Sequence, residues 1–499
     1  MKRKVGAKKL TALLLAALLT LSMASLLASC NGGNGNDTSA DTSGITTPEL
    51  PDTPEKGGYY DGYEFNILIS SRSKRTPIDF DASKEASSAM GIAIAKRNLA
   101  MEEKYGVKIV SPEIDLSETH KAIQKMEEQY SSQTNNYDMA VINTYAVAPI
   151  TTNGHLYDLN AVPYLDLSKS WWDQTVVEDL TISDSIYYVC GDITTTVDDY
   201  MYCVVFNKEM YKQNVGDGTN VYDLVSQGKW TLDELLRLSR LVQVDVNGDG
   251  QMNCQDKFGL MTWYDELYAS VQAAGGRVAQ VNDKGEIELC LYNSRNLDVM
   301  VKYMELENAP STINFQNKKT DMTGEVDWPD MFAGDQVMFF MTILNEVSRF
   351  RNMETDYGIL PNPKYNEEQD RWYCTFSAGL ASFVCIPGYQ EDIERTGDIV
   401  EILGYEAVET IRDGYYEKTL KGTQVRDDES IDSLTVILDN KYVDVGHYYR
   451  VGGLNTALYR VSQSGSAGNF AGEYESCRPV AEQDIKKINE MFKALKNQG

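Results

Sequence analysis

The chain has 499 residues, 42% of them hydrophobic and 24% charged, a composition that excludes both a disordered chain and one embedded in a membrane throughout. Its 74 acidic residues against 46 basic ones give a formal charge of −28. That balance excludes nucleic acid as the main partner, because releasing counterions from a phosphate backbone needs a net basic face.

Lys2, Arg3, Lys4, Lys8 and Lys9 are followed by an uncharged apolar run from Leu10 to Leu27, the pattern of an export signal over residues 1–29. Removing that segment, whose five charges are all basic, takes the formal charge from −28 to −33. Its end, Leu27-Ala28-Ser29-Cys30, resembles the signal box of bacterial lipoproteins, which implies cleavage before Cys30 and a lipid on its sulfur. Two or three acyl chains there give stable anchoring, where one would be marginal. Two other readings are an uncleaved anchor, for which about 18 apolar residues is marginally long enough, and a secreted protein with a free cysteine. All three put the remaining chain outside the cytoplasm. Residues 31–58 are Gly, Asn, Asp, Ser, Thr and Pro with little to bury; with Cys30 they read as a flexible tether reaching roughly 30 Å.

Tyr63 to Ile69 alternates and then becomes wholly apolar, which predicts a strand. A polar loop, Ser70 to Arg75, leads to a helix predicted over about Lys84 to Tyr105, with Met90, Ile94, Met101 and Tyr105 on one stripe. Gly106 stops it before a strand over Val107 to Val110. A second amphipathic helix (Ile123, Met126, Tyr130) leads to the nearly continuous apolar strand Tyr137 to Ile142, of the kind buried on both faces in a parallel sheet. The opening part is therefore α/β.

The segments "AKRNLAMEEKYGVKI", "NNYDMAVINTY", "GHLYDLN", "WWDQTVVEDLTISDSIYYVCGD", "VVFNKEMYK", "GKWTLDELLRLSRL", "MFAGDQVMFF", "DYGILPNPKYNEEQ" and "FSAGLASF", in that order over residues 60 to about 495, resemble the extracellular solute-binding proteins of the maltodextrin-binding class, receptors of bacterial carbohydrate ABC importers. The resemblance implies an α/β, two-lobed periplasmic-binding-protein-like fold of the class II type, with hinge crossings and a ligand cleft between the lobes. It implies a monomer that binds a small molecule, expected to be a carbohydrate, and works with an ABC transporter permease. Carried onto this chain, the first crossing falls near Tyr202 to Asn207 and the return near Thr375 to Ser382. Lobe one is then 59–202 plus 376–425, and lobe two 203–375 plus 426–499.

In lobe two, Thr231 and Glu234 form a capping box, with Trp230 stapled onto Leu235, for a helix running to about Val244. It delivers the chain to Asp245-Val246-Asn247-Gly248-Asp249-Gly250-Gln251-Met252-Asn253-Cys254-Gln255-Asp256, which resembles an EF-hand or dockerin-type calcium loop. Ca2+ needs six to eight converging oxygens at about 2.3–2.6 Å. Asp245, Asn247, Asp249 and Asp256 would bind through side chains, Gln251 through its carbonyl and Asn253 through a water. Asp256 stands where a bidentate glutamate is usual, and Lys257 to Leu260 reads as a strand, which favours a structural clip over a sensor. The same residues can equally make an acidic turn that holds no metal.

Open α/β sheets bind ligand at the carboxyl ends of their strands. The candidate ligand residues are Ser71 and Arg72 after the first strand, Asn143, Thr144 and Tyr145 after the third, Trp263 and Tyr264 past the strand Phe258 to Thr262, and Asn345 after the strand Val337 to Met341. The stretch that carries tryptophan in the resembling family reads Phe339 to Asn345 here, without one, so maltodextrin itself is not implied. Trp171 and Trp172 read as core or rim. His120, His155 and His447 are far apart, and no metalloprotease, nucleophile-elbow or P-loop spacing occurs, so no enzyme is indicated. The alternatives are a glycan sensor or adhesin and, more remotely, a glycan hydrolase, which needs only two carboxylates. Seven cysteines follow Cys30, an odd number without a C-x-x-C; Cys374 and Cys385 read as buried small hydrophobes. A closing helix is predicted over about Val480 to Leu495.

Overall fold

The computed structural model describes residues 54–70, 79–112, 119–316, 328–416, 420, 422 and 425–496. The leader, Cys30, most of the tether, and the candidate residues Ser71 and Arg72 lie outside the described residues. The strands in chain order are β1 (Tyr63–Ser70), β2 (Val107–Val110), β3 (Met139–Asn143), β4 (Tyr202–Asn207), β5 (Gln243–Val244) and β6 (Lys257–Thr262), then β7 (Ala279–Val281), β8 (Ile287–Leu289), β9 (Thr312–Asn314), β10 (Val337–Ile343), β11 (Tyr357–Pro361) and β12 (Ser382–Cys385).

Two main sheets organise the molecule. The first runs β12-β3-β1-β2, with β1 parallel to both β2 and β3, and β12 closing the far edge antiparallel to β3. Every residue of β3 is buried, as its unbroken apolar run requires. The second runs β11-β4-β10-β6, with β5 and β9 both paired to β6; β4 and β10 are buried along their whole length. β7 and β8 form a separate hairpin.

The first helix begins at Ala89, later than expected, because the Ser88 hydroxyl caps the Gly91 N–H at 2.9 Å. A 3-10 turn, Ala82–Glu85, precedes it. Gly106 ends it with φ 63°, in the left-handed conformation that glycine adopts without penalty. Met90, Ile94 and Met101 are buried, as the stripe predicts. β3 begins two residues later than expected: the Gln129 amide bonds both backbone groups of Tyr137, at 2.8 and 2.9 Å, and so withholds them from the ladder.

Thr231 caps its helix through the Glu234 N–H, but Glu234 turns its carboxylate to Arg237, so the reciprocal half of the box is replaced by an ion pair. That helix stops at Ser239 because Gln243 and Val244 pair with β6. The last helix spans Phe470–Lys496, ten residues longer at its start than expected, with Pro479 inside it. Trp171 and Trp172 are core: the Trp172 indole donates to Glu401 at 3.0 Å, and Trp171 meets Tyr405 edge-on. Cys374 and Cys385 are buried free thiols.

Between the two sheets three extended stretches lie side by side. Residues 200–202 pair with 375–377 through Tyr202 N–H to Thr375 O and Ser377 N–H to Tyr200 O, and Cys374 bonds in turn to Asn440 and Tyr442. Lys441, in the third stretch, is buried and ion-paired to Asp173 at 3.2 Å and Asp198 at 3.0 Å.

Candidate functional site

A cavity of about 340 Å3 opens where loops from both sheets converge. Tyr145 follows β3 and Ser377 to Gly379 lead into β12, while Tyr202 begins β4, Tyr264 follows β6 and Gln316 follows β9. Three of these positions are carboxyl ends of parallel strands, where backbone turns leave space at the sheet edge.

Tyr145 is held by its two predecessors. The Asn143 Oδ1 accepts the Tyr145 N–H at 3.1 Å, and its Nδ2 donates to the carbonyls of Gly379 at 3.1 Å and Ala381 at 3.2 Å. Thr144 donates to the Ala378 carbonyl. Asn143 and Thr144 are therefore buried fasteners between the β3 end and the β12 approach, and Tyr145 faces the cavity. Its hydroxyl meets His447 Nε2 at 3.0 Å.

On the opposite side, Tyr264 lines the cavity; its N–H donates to Gln316 at 3.0 Å and its ring meets Tyr459 edge-on at 5.2 Å. Trp263 sits one layer back. Its ring stacks on Phe315, tilts against Tyr202 at 6.0 Å, and donates its indole N–H to Glu266 at 2.9 Å. Glu266 is wholly buried, and burial pushes its carboxyl up to about 8. Asn345 lies in the short helix Leu344–Val347 after β10, away from the cavity lining.

His447, Arg450, Asn455, Thr456 and Tyr459 also line the cavity, and sequence reasoning assigned none of them to it. His447 stacks on Tyr268 at 3.9 Å and 16°. Burial, with the Arg450 charge adding to it, drops its pKa to about 3, so the ring is neutral. No local pattern in the sequence marks these residues, because only tertiary folding brings them to the strand ends. The lining offers tyrosine faces for apolar C–H surfaces and hydroxyls and amides for polar groups, the combination that suits a polyhydroxyl ligand. Asp265 is the sole carboxylate among the described residues of the lining.

The acidic loop lies elsewhere, after β5. Asp245 accepts the N–H groups of Gly248 and Gly250, both at 2.7 Å, and Asp256, wholly buried, accepts those of Val246 and Asn253. Asn247 and Asp249 accept from Asp249 and Gln251, and the Asn253 carbonyl oxygen of the side chain accepts from Gln255. Gly248 and Gly250 take φ of 72° and 79°. Among the described residues no three His, Cys, Asp or Glu side chains converge as a metal centre. No helix of the described residues is long and apolar enough to cross a membrane.

No protein-family model matches the chain, and no curated protein does. Solved structures match in shape. An ABC substrate-binding protein, Lmo0181 from Listeria monocytogenes in complex with cycloalternan, is 12% identical with a TM-score of 0.53, covering 86% of this chain and 99% of its own. UgpB from Mycobacterium tuberculosis, in complex with glycerophosphocholine, is 12% identical with a TM-score of 0.55 over 85% of this chain and 100% of its own. The maltose/maltodextrin-binding domain MalE from Bdellovibrio bacteriovorus, bound to maltotriose, is 14% identical with a TM-score of 0.51 over 85% and 100%. The chain thus has the two-lobed α/β fold of solute-binding proteins.

Proposed function

We propose that this protein is a receptor that captures a small carbohydrate in the Tyr145–Tyr264 cavity by hinge closure and delivers it to an ABC transporter permease. The carrying observation is the cavity itself, built from strand ends of both sheets and lined by tyrosines, amides and one carboxylate. A ligand touching both sides stabilises the closed arrangement by its differential affinity. The fold shared with proteins solved with cycloalternan and maltotriose supports a sugar. One carboxylate among the described residues of the lining favours binding over glycoside hydrolysis, which uses a pair. The N-terminal signal and Cys30 support export and a lipid anchor. The experiment is a thermal-shift panel of mono- and oligosaccharides, with Tyr264→Ala alongside. One saturable hit, lost or weakened in the variant and recovered unchanged after incubation, supports the receptor; a hydrolysed sugar overturns it.

We also retain calcium for the loop over Asp245 to Asp256. Its support is the ligand pattern and the two left-handed glycines that fold the chain back on itself. The accepting carboxylate oxygens keep a second lone pair for a cation.

A further inference from the structure

Two features of the cavity share one electrostatic sign, and a third marks a place for a ligand atom. The helix Leu454–Ser464, eleven residues long, starts at the cavity: Asn455 and Thr456 of its first turn line it, and its N-cap, Gly453, offers no side-chain acceptor. The Leu454 N–H donates back to the Val451 carbonyl, and the N–H groups of Asn455 and Thr456 that follow bring the positive end of the helix dipole to the cavity. Arg450, three residues before that cap, also lines the cavity. Its guanidinium lies over the Tyr145 ring at 5.1 Å and has no carboxylate within ion-pair distance among the described residues. Arg450 is exposed, so its charge is open to a ligand that enters the cavity.

Arg450 is held there at a backbone cost. Its φ of 51° is a left-handed conformation that disfavours a side chain with a Cβ, the kind of strain that concentrates at functional positions. The third feature is independent of both. His447, only 7% exposed, lines the same cavity, and its Nδ1 has no hydrogen-bond partner. Its Nε2 meets the Tyr145 hydroxyl at 3.0 Å, which leaves Nδ1 as a buried polar atom waiting for a partner that a ligand can supply. The opposing charge in the lining is Asp265, whose field falls on Tyr202 and Tyr459, and it is suited to accept sugar hydroxyls.

We propose that the ligand is a saccharide bearing an anionic group, a carboxylate, sulfate or phosphate, seated between Arg450 and the N-terminus of helix Leu454–Ser464. The inference rests on the cavity being the sugar site. The guanidinium offers paired donors to the planar or tetrahedral oxyanion, the helix start offers backbone N–H groups, and the tyrosines take the ring.

The test titrates the full chain calorimetrically with matched pairs: galacturonate oligomers against neutral galactose oligomers, and glucose 6-sulfate and glucose 6-phosphate against glucose. The expected result is an acidic member bound about tenfold or more tighter than its neutral counterpart. Arg450→Gln should erase that preference, bringing the acidic member down to its neutral counterpart, and Tyr459→Ala should weaken both members alike. Which of the three acidic arms responds identifies the group. A neutral sugar preferred over every acidic one, or an acidic preference untouched by Arg450→Gln, overturns the anionic inference and leaves sugar capture standing. Sugar binding untouched by either variant overturns the cavity reading as well, and no response from any acidic member overturns the inference outright.

Discussion

The tyrosines around the cavity are not equivalent. Tyr264 presents its ring at a strand end and is braced by Tyr459, whereas Trp263 reaches the site only through Tyr202. Tyr264→Ala should therefore weaken ligand binding roughly tenfold, and Trp263→Ala should weaken it less while lowering the melting temperature more; equal losses of affinity would contradict this layering. Glu266 adds a pH signature. The unfolded chain releases this proton near the ordinary glutamate value of 4.5, and the folded protein keeps it to about 8. Its contribution is thus full below about pH 4.5 and is lost as pH rises to about 8. Glu266→Gln mimics the protonated form, and Asn362, whose Oδ1 has no partner, can turn its amide to match it. The variant should melt higher than the parent at pH 8 and close to it at pH 4.5, a comparison that thermal denaturation at the two pH values decides.

At the scale of elements, two caps of similar chemistry should separate by consequence. Thr231→Ala removes one cap bond in a helix remote from the cavity and should cost about 1 kcal/mol with ligand affinity retained. Asn143→Ala removes the Tyr145 cap and both bonds to the β12 approach, so it should cost about 2–3 kcal/mol and weaken binding as well. Denaturant titration with and without ligand separates the two. For the acidic loop, chelation should lower the melting temperature and leave sugar affinity intact; an identical melt with and without chelator, and no metal in the purified protein, would remove calcium from the account. The strand-helix-strand opening, the buried β3 and the strand ends carrying Tyr145 and Tyr264 were legible in sequence, because period, apolar continuity and turn residues are local. His447, Arg450 and Asn455 were not, since they reach the cavity that Tyr145 lines only after some three hundred intervening residues have folded. Gln129, which delays β3, was equally invisible: nothing local says that a helical glutamine will take the backbone groups of Tyr137.

Across the whole molecule, burial pushes Glu307, Glu401, Asp192 and Asp199 each up to about 7, the same direction as Glu266. Their summed effect is a melting temperature that falls as pH rises from about 5 to 8; a melt that climbs steadily over that range would show that these carboxyls are charged in the folded state. Lys441 is a buried cation whose ammonium is neutralised by Asp173 and Asp198 where the three extended stretches meet, so Lys441→Met should leave two partly buried acids uncompensated and destabilise the fold. The placement of β12 also sets an order of events. β3 and β1 are made early, but the strand that covers the free edge of β3 is made some 240 residues later. At ribosomal speed that gap is roughly 10–50 s, during which a largely apolar strand edge stands open to any passing chain. A polypeptide built this way gains from leaving the ribosome unfolded and held by a chaperone until its last third exists, which is the state in which an export channel accepts its cargo.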